Sequence, residues 1–370
     1  MKNNQSYSTW VEVSLSAIDN NIRLLRESTG VQVMAVVKGN AYGHGAWRVS
    51  EAAIQAGASW LGVARIEEAV ELRNYGLDCP ILLMGYLPIN RFNEAISKHI
   101  SLTVWEEEQI RLASASAQSL GQLARVHLKV DTGMSRLGVQ VDDAFLFANG
   151  MASTPGIILE GIFTHFASAD IPSDATTVKQ IQLFNRLLME LDSVGLRPKL
   201  VHAANSAASL TRPDAAYTMI RSGIAMYGLH PSIECLLPDR FQPVLTWKTV
   251  LSQVKVLPPG RGVSYGHEYF TATYERVGTL PVGYADGFRR IKGNQVLVSG
   301  KRVPVIGRVC MDQCSVQLDS VPDAHAGDEV VLIGSQADSV IRTEEVAKKW
   351  NTNNYEVVCG IATRVPRLYY

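Results

Sequence analysis

The chain has 370 residues, with 35 Lys+Arg against 35 Asp+Glu and so no formal net charge. Neutrality removes the electrostatic case for general nucleic-acid binding, which rests on phosphate neutralisation. A hydrophobic content of 46% with 19% charged residues excludes a mostly disordered chain, and no apolar run approaches the roughly 18 residues of a membrane helix. The length suits one large domain plus a smaller one.

The opening residues, MKNNQSYSTWVEV, lack the apolar core of a signal peptide, which points to a cytoplasmic protein. A helix is expected near Ser16–Glu27, with Ser16 as its N-cap. Eight short apolar runs of β type follow: Val33–Val37, Trp60–Ala64, Ile81–Met84, Leu102–Trp105, Arg125–Val130, Ile158–Thr164, Leu200–Ala204 and Tyr217–Ile220. Helical periodicity fills most gaps between them, at Gly45–Ala56, Ile66–Tyr75, Glu106–Leu120 and Thr177–Val194, the last with a stripe of Ile181, Phe184, Leu188 and Leu191. Eight such alternations over about 230 residues predict an α/β fold of the (β/α)8 TIM-barrel type, spanning residues 10–240. The alternative is an open doubly wound sheet, but no G-x-G-x-x-G turn follows the first run.

Beyond residue 240 the helical period fades. Short strands alternate with Gly/Pro turns at Val244–Leu257, Arg276–Val282, Gln295–Ser299, Val303–Val309, Ser315–Leu318 and Glu329–Ile333, with one helix at Thr343–Trp350 capped by Thr343. This reads as a mainly antiparallel β domain over residues 241–370, with residues 1–9 packing against it. The five cysteines, at 79, 235, 310, 314 and 359, are too few and odd in number for a disulfide framework. Cys310 and Cys314 have no matching Cys/His pair elsewhere, so no metal site is expected.

In a (β/α)8 barrel the chemistry sits at the C-terminal ends of the strands. The first run is followed by Lys38-Gly39-Asn40-Ala41-Tyr42-Gly43-His44-Gly45. The fifth carries Lys129 and leads into Asp131-Thr132-Gly133-Met134-Ser135-Arg136. His165 follows the sixth, Asn205-Ser206 the seventh, and Arg221-Ser222-Gly223-Ile224 the eighth. Any one of these groups alone is ordinary rim polarity; five strand ends delivering them to one rim are not. The loops after strands seven and eight are where barrels commonly hold phosphate. A lysine at the end of a buried strand can be desolvated and form a Schiff base. A phosphate cradle with such a lysine points to pyridoxal phosphate or to a sugar-phosphate aldolase.

The block Ala35-Val36-Val37-Lys38-Gly39-Asn40-Ala41-Tyr42-Gly43-His44-Gly45 resembles the cofactor-lysine signature of alanine racemases. The resemblance continues through Lys129–Gly138, Thr164–Ala167, His202–Ala208, Arg221–Gly228, Val263–Gly266, Gly283–Gly287, Gly307–Gln313 and Asn354–Glu356, in the family's order and over essentially the whole chain. Departures are small: Gly39 where Ala is frequent, Ser135 for a common Gly, and Ser222.

The resemblance implies a pyridoxal 5'-phosphate enzyme interconverting L- and D-alanine through a Schiff base and two bases, supplying D-alanine for peptidoglycan. It implies Lys38 as the cofactor lysine and one base, and Tyr265 as the base on the other face. It places Arg221 against the pyridine nitrogen, where a donor-only side chain leaves that nitrogen unprotonated, with His165 hydrogen-bonded to Arg221. Tyr42, Ser206, Gly223, Ile224 and Tyr355 are implied at the phosphate, with Asn205 among the cofactor contacts. Arg136 and the Met311 amide are implied at the substrate carboxylate, with Lys129, carbamylated in many members, steadying Arg136. Asp312 orders its neighbours, while Tyr284, Asp170, Arg289, Arg290 and Arg308 line a narrow entrance. The implied assembly is a homodimer whose active sites are shared between subunits.

Three rivals share parts of this pattern. A basic amino-acid decarboxylase of similar architecture wants an acid, not Arg221, at the ring nitrogen. A non-catalytic pyridoxal-phosphate carrier has no use for the β domain. A serine or broad-specificity racemase is disfavoured by Tyr355 and by the lack of paired cysteines and an export signal.

Overall fold

The computed structural model describes residues 6–370. The described residues divide into two compact units: Ser16–Ala41 with Ala46–Gln242, and residues 6–15 with Tyr42–Gly45 and Pro243–Tyr370.

The first unit is built on eight parallel strands: Gln32–Val36, Trp60–Val63, Ile81–Leu83, Ile100–Val104, Ala124–Asp131, Ile157–Phe163, Leu200–His202 and Met219–Ser222. They are hydrogen-bonded in that order, with the eighth beside the first. Between the seventh and eighth strands, Thr218 N–H donates to the Val201 carbonyl and Arg221 N–H to that of Ala204, at 3.1 and 2.9 Å, which closes the ring. The expected barrel is therefore the observed fold. Most of these strands are buried on both faces, which is why they read as continuous apolar runs. The long helix Thr176–Ser193 buries Ile181, Phe184, Leu187, Leu188 and Leu191, the expected stripe plus one residue.

Three helices of this unit escape the sequence reading: Phe92–Ser97, Val141–Ala152 and Ser206–Thr211. In Val141–Ala152 only Ala144, Ala148 and Met151 are buried, while Leu146 is exposed, so apolar residues on both faces hide the period. The opening helix starts at Leu15, so Ser16 lies inside it rather than at its cap.

The second unit is a mainly antiparallel sheet in the order Gln253–Leu257, Glu275–Leu280, Cys314–Gln317, Lys301–Ile306, Gln295–Val298, Glu329–Gln336, Leu245–Val250, Thr9–Val13, Arg367–Tyr369. Thr9–Val13 pairs with Leu245–Val250, so the chain crosses into the barrel at Ser16 instead of residue 10; of the N-terminal segment expected to pack here, residues 1–5 lie outside the described part. The run Val244–Leu257 is two strands. Leu245–Val250 pairs with Glu329–Gln336 and Gln253–Leu257 with Glu275–Leu280, and the chain changes partners at Leu251–Ser252. The last expected helix starts at Thr343 with Arg342 in the cap position.

Candidate active site

Burial and short connections bring the basic residues of the barrel unit to the C-terminal ends of its strands. Arg221, on the eighth, is the best defined. Its Nη1 donates to the His202 carbonyl at 2.9 Å and to His202 Nδ1 at 3.0 Å. Its Nη2 donates to the carbonyls of Thr164 and Ala203 at 2.8 and 2.9 Å, and to His165 Nδ1 at 3.1 Å. No carboxylate pairs with it among the described residues, and none of these bonds uses Nε. Burial pushes the guanidinium down to about 9, which still leaves it charged at neutral pH. Because arginine only donates, His165 Nδ1 and His202 Nδ1 must both be bare acceptors. Burial, then the field of Arg221, holds both imidazoles well below their ordinary range and hence neutral.

Lys129, on the fifth strand, is 7% exposed, with its Nζ 4.7 Å from the centre of the Phe163 ring. Burial first, then Arg221 and Arg136, lowers its proton affinity far below that of a free lysine. Asp131 does not pair with it: one Asp131 oxygen accepts the amides of Gly133 and Ser135 at 2.9 and 3.0 Å, organising the turn that leads to Arg136. Ser135 sits at φ 56°, in the left-handed region, which explains the preference for glycine at this position. Arg136 is exposed and makes no ion pair among the described residues.

After the seventh strand, Asn205 caps the helix Ser206–Thr211 by accepting the Ala208 amide at 2.9 Å. Ser206 Oγ accepts the amides of Gly223 and Ala225 at 2.9 and 3.2 Å, so the Gly223 amide already has a partner within the chain. Ile224 opens a short 3-10 helix, and the Ser222 hydroxyl is buried without a hydrogen bond.

Lys38 follows the first strand and is exposed. The next four residues, Gly39 to Tyr42, all have φ between 52° and 63° and form a left-handed helical turn. Three side-chain and backbone bonds hold it: Gly39 N–H to Glu68 at 2.6 Å, Ala46 N–H to Asn40 Oδ1 at 2.8 Å, and Ala41 N–H to the Val37 carbonyl at 2.8 Å. Backbone of this kind is strained for non-glycine residues and clusters at functional sites.

In the second unit, the Tyr42 and Tyr355 rings lie 6.1 Å apart, and burial, then Tyr355, raises the Tyr42 phenol, which stays a proton donor. Tyr265 is 70% exposed, on a turn with Ser264 at φ 64° and His267 at φ 46°. Ser264 Oγ fastens this turn to the Arg308 carbonyl at 2.6 Å, and Arg308 Nε donates to Glu268. Met311 is 54% exposed, and its carbonyl accepts the Ala285 amide at 3.0 Å. A side chain at Gly283 would meet the carbonyls of Cys310 and Met311 at 2.3 Å, so only glycine permits this contact. Arg364 joins Asp312 to Asp286, each at 2.7 Å, and Asp286 accepts the Gly283 amide at 2.9 Å. Arg289 pairs with Glu356 and lies 5.5 Å from the Trp350 ring centre.

One buried residue beside the site carries no motif that sequence reasoning could single out. Gln180 is 1% exposed; its amide accepts from Ala167 N–H and donates to Thr132 Oγ1 and the His165 carbonyl, tying together the loops after strands five and six. Its only signal is a polar residue beside Ile181 on the buried stripe of a helix.

A (β/α)8 barrel with a basic rim and a strained lysine loop defines the class: a barrel enzyme built for an anionic ligand. Comparison with known proteins narrows this. The alanine racemase N-terminal domain family matches residues 13–231 and the alanine racemase C-terminal domain family residues 244–369. An alanine racemase of Symbiobacterium thermophilum is 45% identical over 98% of this chain and 97% of its own. The structure of an alanine racemase of Clostridium difficile superposes with a TM-score of 0.94 at 38% identity, over 99% of this chain and 96% of that one. A histidine racemase of Leuconostoc mesenteroides reaches a TM-score of 0.92 at 28% identity, over 100% of both. The chain belongs to the alanine racemase family.

Pyridoxal 5'-phosphate is the cofactor of that family. The barrel rim fits it. Lys38, Arg136 and Arg221 suit an anion, Lys38 would supply an amine for the carbonyl, and Arg221 keeps an Nε donor that would suit an unprotonated ring nitrogen. The buried, unpartnered Ser222 hydroxyl is a further polar group available there.

Proposed function

We propose that this chain racemises alanine, with the cofactor seated at the barrel rim. When bound, pyridoxal 5'-phosphate withdraws electrons from the bond being broken at substrate Cα. Lys38 holds the cofactor through its amine and, once released, moves a proton at one face of Cα. Tyr265 moves a proton at the opposite face, because a single base returns the proton to the face it came from. Tyr42, Tyr355, Ser206, Gly223 and Ile224 hold the phosphate, with Asn205, which caps the helix that Ser206 opens, among the cofactor contacts. Arg221, steadied by His165, would donate to the ring nitrogen and keep it unprotonated, which would weaken the cofactor's electron withdrawal and disfavour transamination. Arg136 and the Met311 amide orient the substrate carboxylate, Lys129 steadies Arg136 once carbamylated, and Asp312 fixes the loop that carries Met311.

The observation that carries this reading is Arg221: a buried guanidinium anchored by carbonyls and neutral imidazoles, with no acid beside it. A decarboxylase wants the reverse. Tyr355 favours alanine over serine, as the family resemblance implies; a histidine racemase on the same fold makes this a matter of side chains and not of architecture.

The proposal extends to a cytoplasmic homodimer that supplies D-alanine for peptidoglycan, each site formed by one protomer's Lys38 with its partner's Tyr265 and Met311. The high exposure of Tyr265 and Met311 supports their use by a partner, and free cysteines suit a reducing compartment. The test is circular dichroism of the holoenzyme with L- or D-alanine, serine, histidine, lysine and arginine. Alanine should react fastest and reach the same end point from either enantiomer. Faster histidine turnover, or carbon dioxide release from lysine or arginine, refutes the reading.

A further inference from the structure

Behind Arg221 a line of buried polar groups runs down the barrel interior. His202 Nε2 lies 2.9 Å from His127 Nδ1, and His127 Nε2 lies 3.3 Å from Glu160 Oε2. Glu160 also accepts from Ser101 Oγ at 2.6 Å and from Arg125 Nη1 at 3.1 Å. His127 and His202 are 0% exposed, whereas the Arg125 side chain is 57% exposed. The chain therefore begins at the strand ends, at Arg221, and ends toward the opposite mouth of the barrel, where Ser101 and Arg125 are the second residues of their strands.

Each link has one permissible direction. Arg221 only donates, so His202 Nδ1 accepts and the single proton of neutral His202 sits on Nε2. That proton is donated to His127 Nδ1, which forces the proton of His127 onto Nε2, facing the Glu160 carboxylate. A second proton on either ring would set two N–H groups against each other.

The backbone is shaped for this line. Fifth and sixth strands pair Val126 with Leu159 but His127 with Gly161, so Glu160 is an extra residue in a bulge, which turns its side chain toward His127. A Cβ at residue 161 would lie 2.4 Å from His127 Nδ1, so glycine is needed for the ring to fit.

We propose that Glu160 is a positioning residue for Arg221, acting through His127 and His202. Its acceptor oxygen takes the proton of His127 Nε2, so the tautomers that Arg221 demands are held from the far end as well and Arg221 Nη1 stays held by His202. A carboxylate in contact with Arg221 would anchor it more strongly, yet it would place an acid beside the ring nitrogen and favour its protonation. Two neutral imidazoles carry the polarity without bringing the acid near.

The inference rests on the proposed role of Arg221 and is tested separately from it. The holoenzyme, labelled with 15N-histidine, reports both tautomers by long-range 1H–15N NMR. In the wild type, Nδ1 of His127 and His202 should be bare and Nε2 protonated. Glu160→Gln, similar in size, can present either a donor or an acceptor to His127, so its two histidines should show mixed tautomers. Its ratio of transamination to racemisation should rise roughly tenfold, the effect of losing one hydrogen bond to a charged group. Glu160→Leu should do the same with larger amplitude, and Glu160→Asp should restore part of the wild-type pattern. A protonated Nδ1 on either ring in the wild type overturns the proposal. So does a folded Glu160→Gln enzyme with wild-type tautomers, or with an unchanged reaction ratio. Absence of alanine racemisation in the wild type would instead refute the functional reading and leave the tautomer result standing.

Discussion

Lys38 and Lys129 have the same functional group in opposite surroundings. Lys38 is exposed at the rim, whereas Lys129 lies within a buried strand near two arginines. Replacing Lys38 with Ala should abolish both the absorption band of the bound cofactor and racemisation. A borohydride-reducible adduct on another lysine, with activity retained, would show the site to be misplaced. Because burial and the arginines lower the proton affinity of Lys129, its amine can add to carbon dioxide: an N–C bond forms as a C=O π bond opens, a proton leaves, and the neutral amine becomes an anion suited to Arg136. Equilibration with 13C-bicarbonate should therefore give one carbamate resonance that is missing in Lys129→Gln. Identical spectra from the two proteins would mean that Lys129 remains an amine. The identities of these residues were legible from their places after strand ends, but the difference between them was not, because burial is set by the packing of other strands.

The left-handed turn after the first strand is the element that sequence reading missed most clearly. Propensities describe right-handed helices, and nothing in Gly39-Asn40-Ala41-Tyr42 forbids one. The turn persists because Glu68 and the Val37 carbonyl accept its backbone amides and the Asn40 side chain ties it to the Ala46 amide. Gly39 relieves strain at its first position, at φ 63°, where a Cβ would meet nothing within 4 Å. Gly39→Ala should thus fit sterically yet cost about 1 kcal/mol through its backbone angle alone. Urea denaturation should read this as a lower midpoint with an unchanged slope, and a variant as stable as the wild type would show that the turn is not held left-handed. Gln180 makes the same point for helices: its position on the stripe was legible, whereas the two loops it joins were not.

At the scale of the molecule, the buried imidazoles link stability to pH. His127, His165 and His202 all bind a proton less readily in the folded barrel than in the unfolded chain, chiefly through burial. The unfolded state therefore takes up more protons as the pH falls below about 6.5. Stability is complete above that pH and declines beneath it, by at most about 1.4 kcal/mol per pH unit for each histidine. Thermal midpoints measured from pH 8 down to pH 5 should fall below 6.5, and His165→Asn should flatten that fall. A midpoint independent of pH over this range would mean the imidazoles are not held neutral.

Subunit sharing is tested at the same scale. Lys38→Ala and Tyr265→Ala proteins should each be nearly inactive alone. A mixed dimer would hold one doubly defective site and one intact site, so co-refolding with random pairing should restore up to about one quarter of wild-type activity. Isolated heterodimers as inactive as their parents would place both bases in one chain or remove Tyr265 from the reaction.

The sequence by itself determined the barrel, the β unit and the rim residues. Strand and helix periods are local, and a barrel puts whatever follows its strands on one rim. The resemblance in blocks such as Ala35–Gly45 then specified the family. Only the tertiary structure decided that Val244–Leu257 is two strands, that Thr9–Val13 belongs to the β unit, and that Glu160 turns inward. Each of these depends on which partner strand lies alongside, and strand pairing joins residues far apart in the chain. The same holds for charge: His202 is held neutral, the proton affinity of Lys129 is lowered, and Arg221 is kept without a nearby acid, by neighbours from other strands that no local pattern encodes.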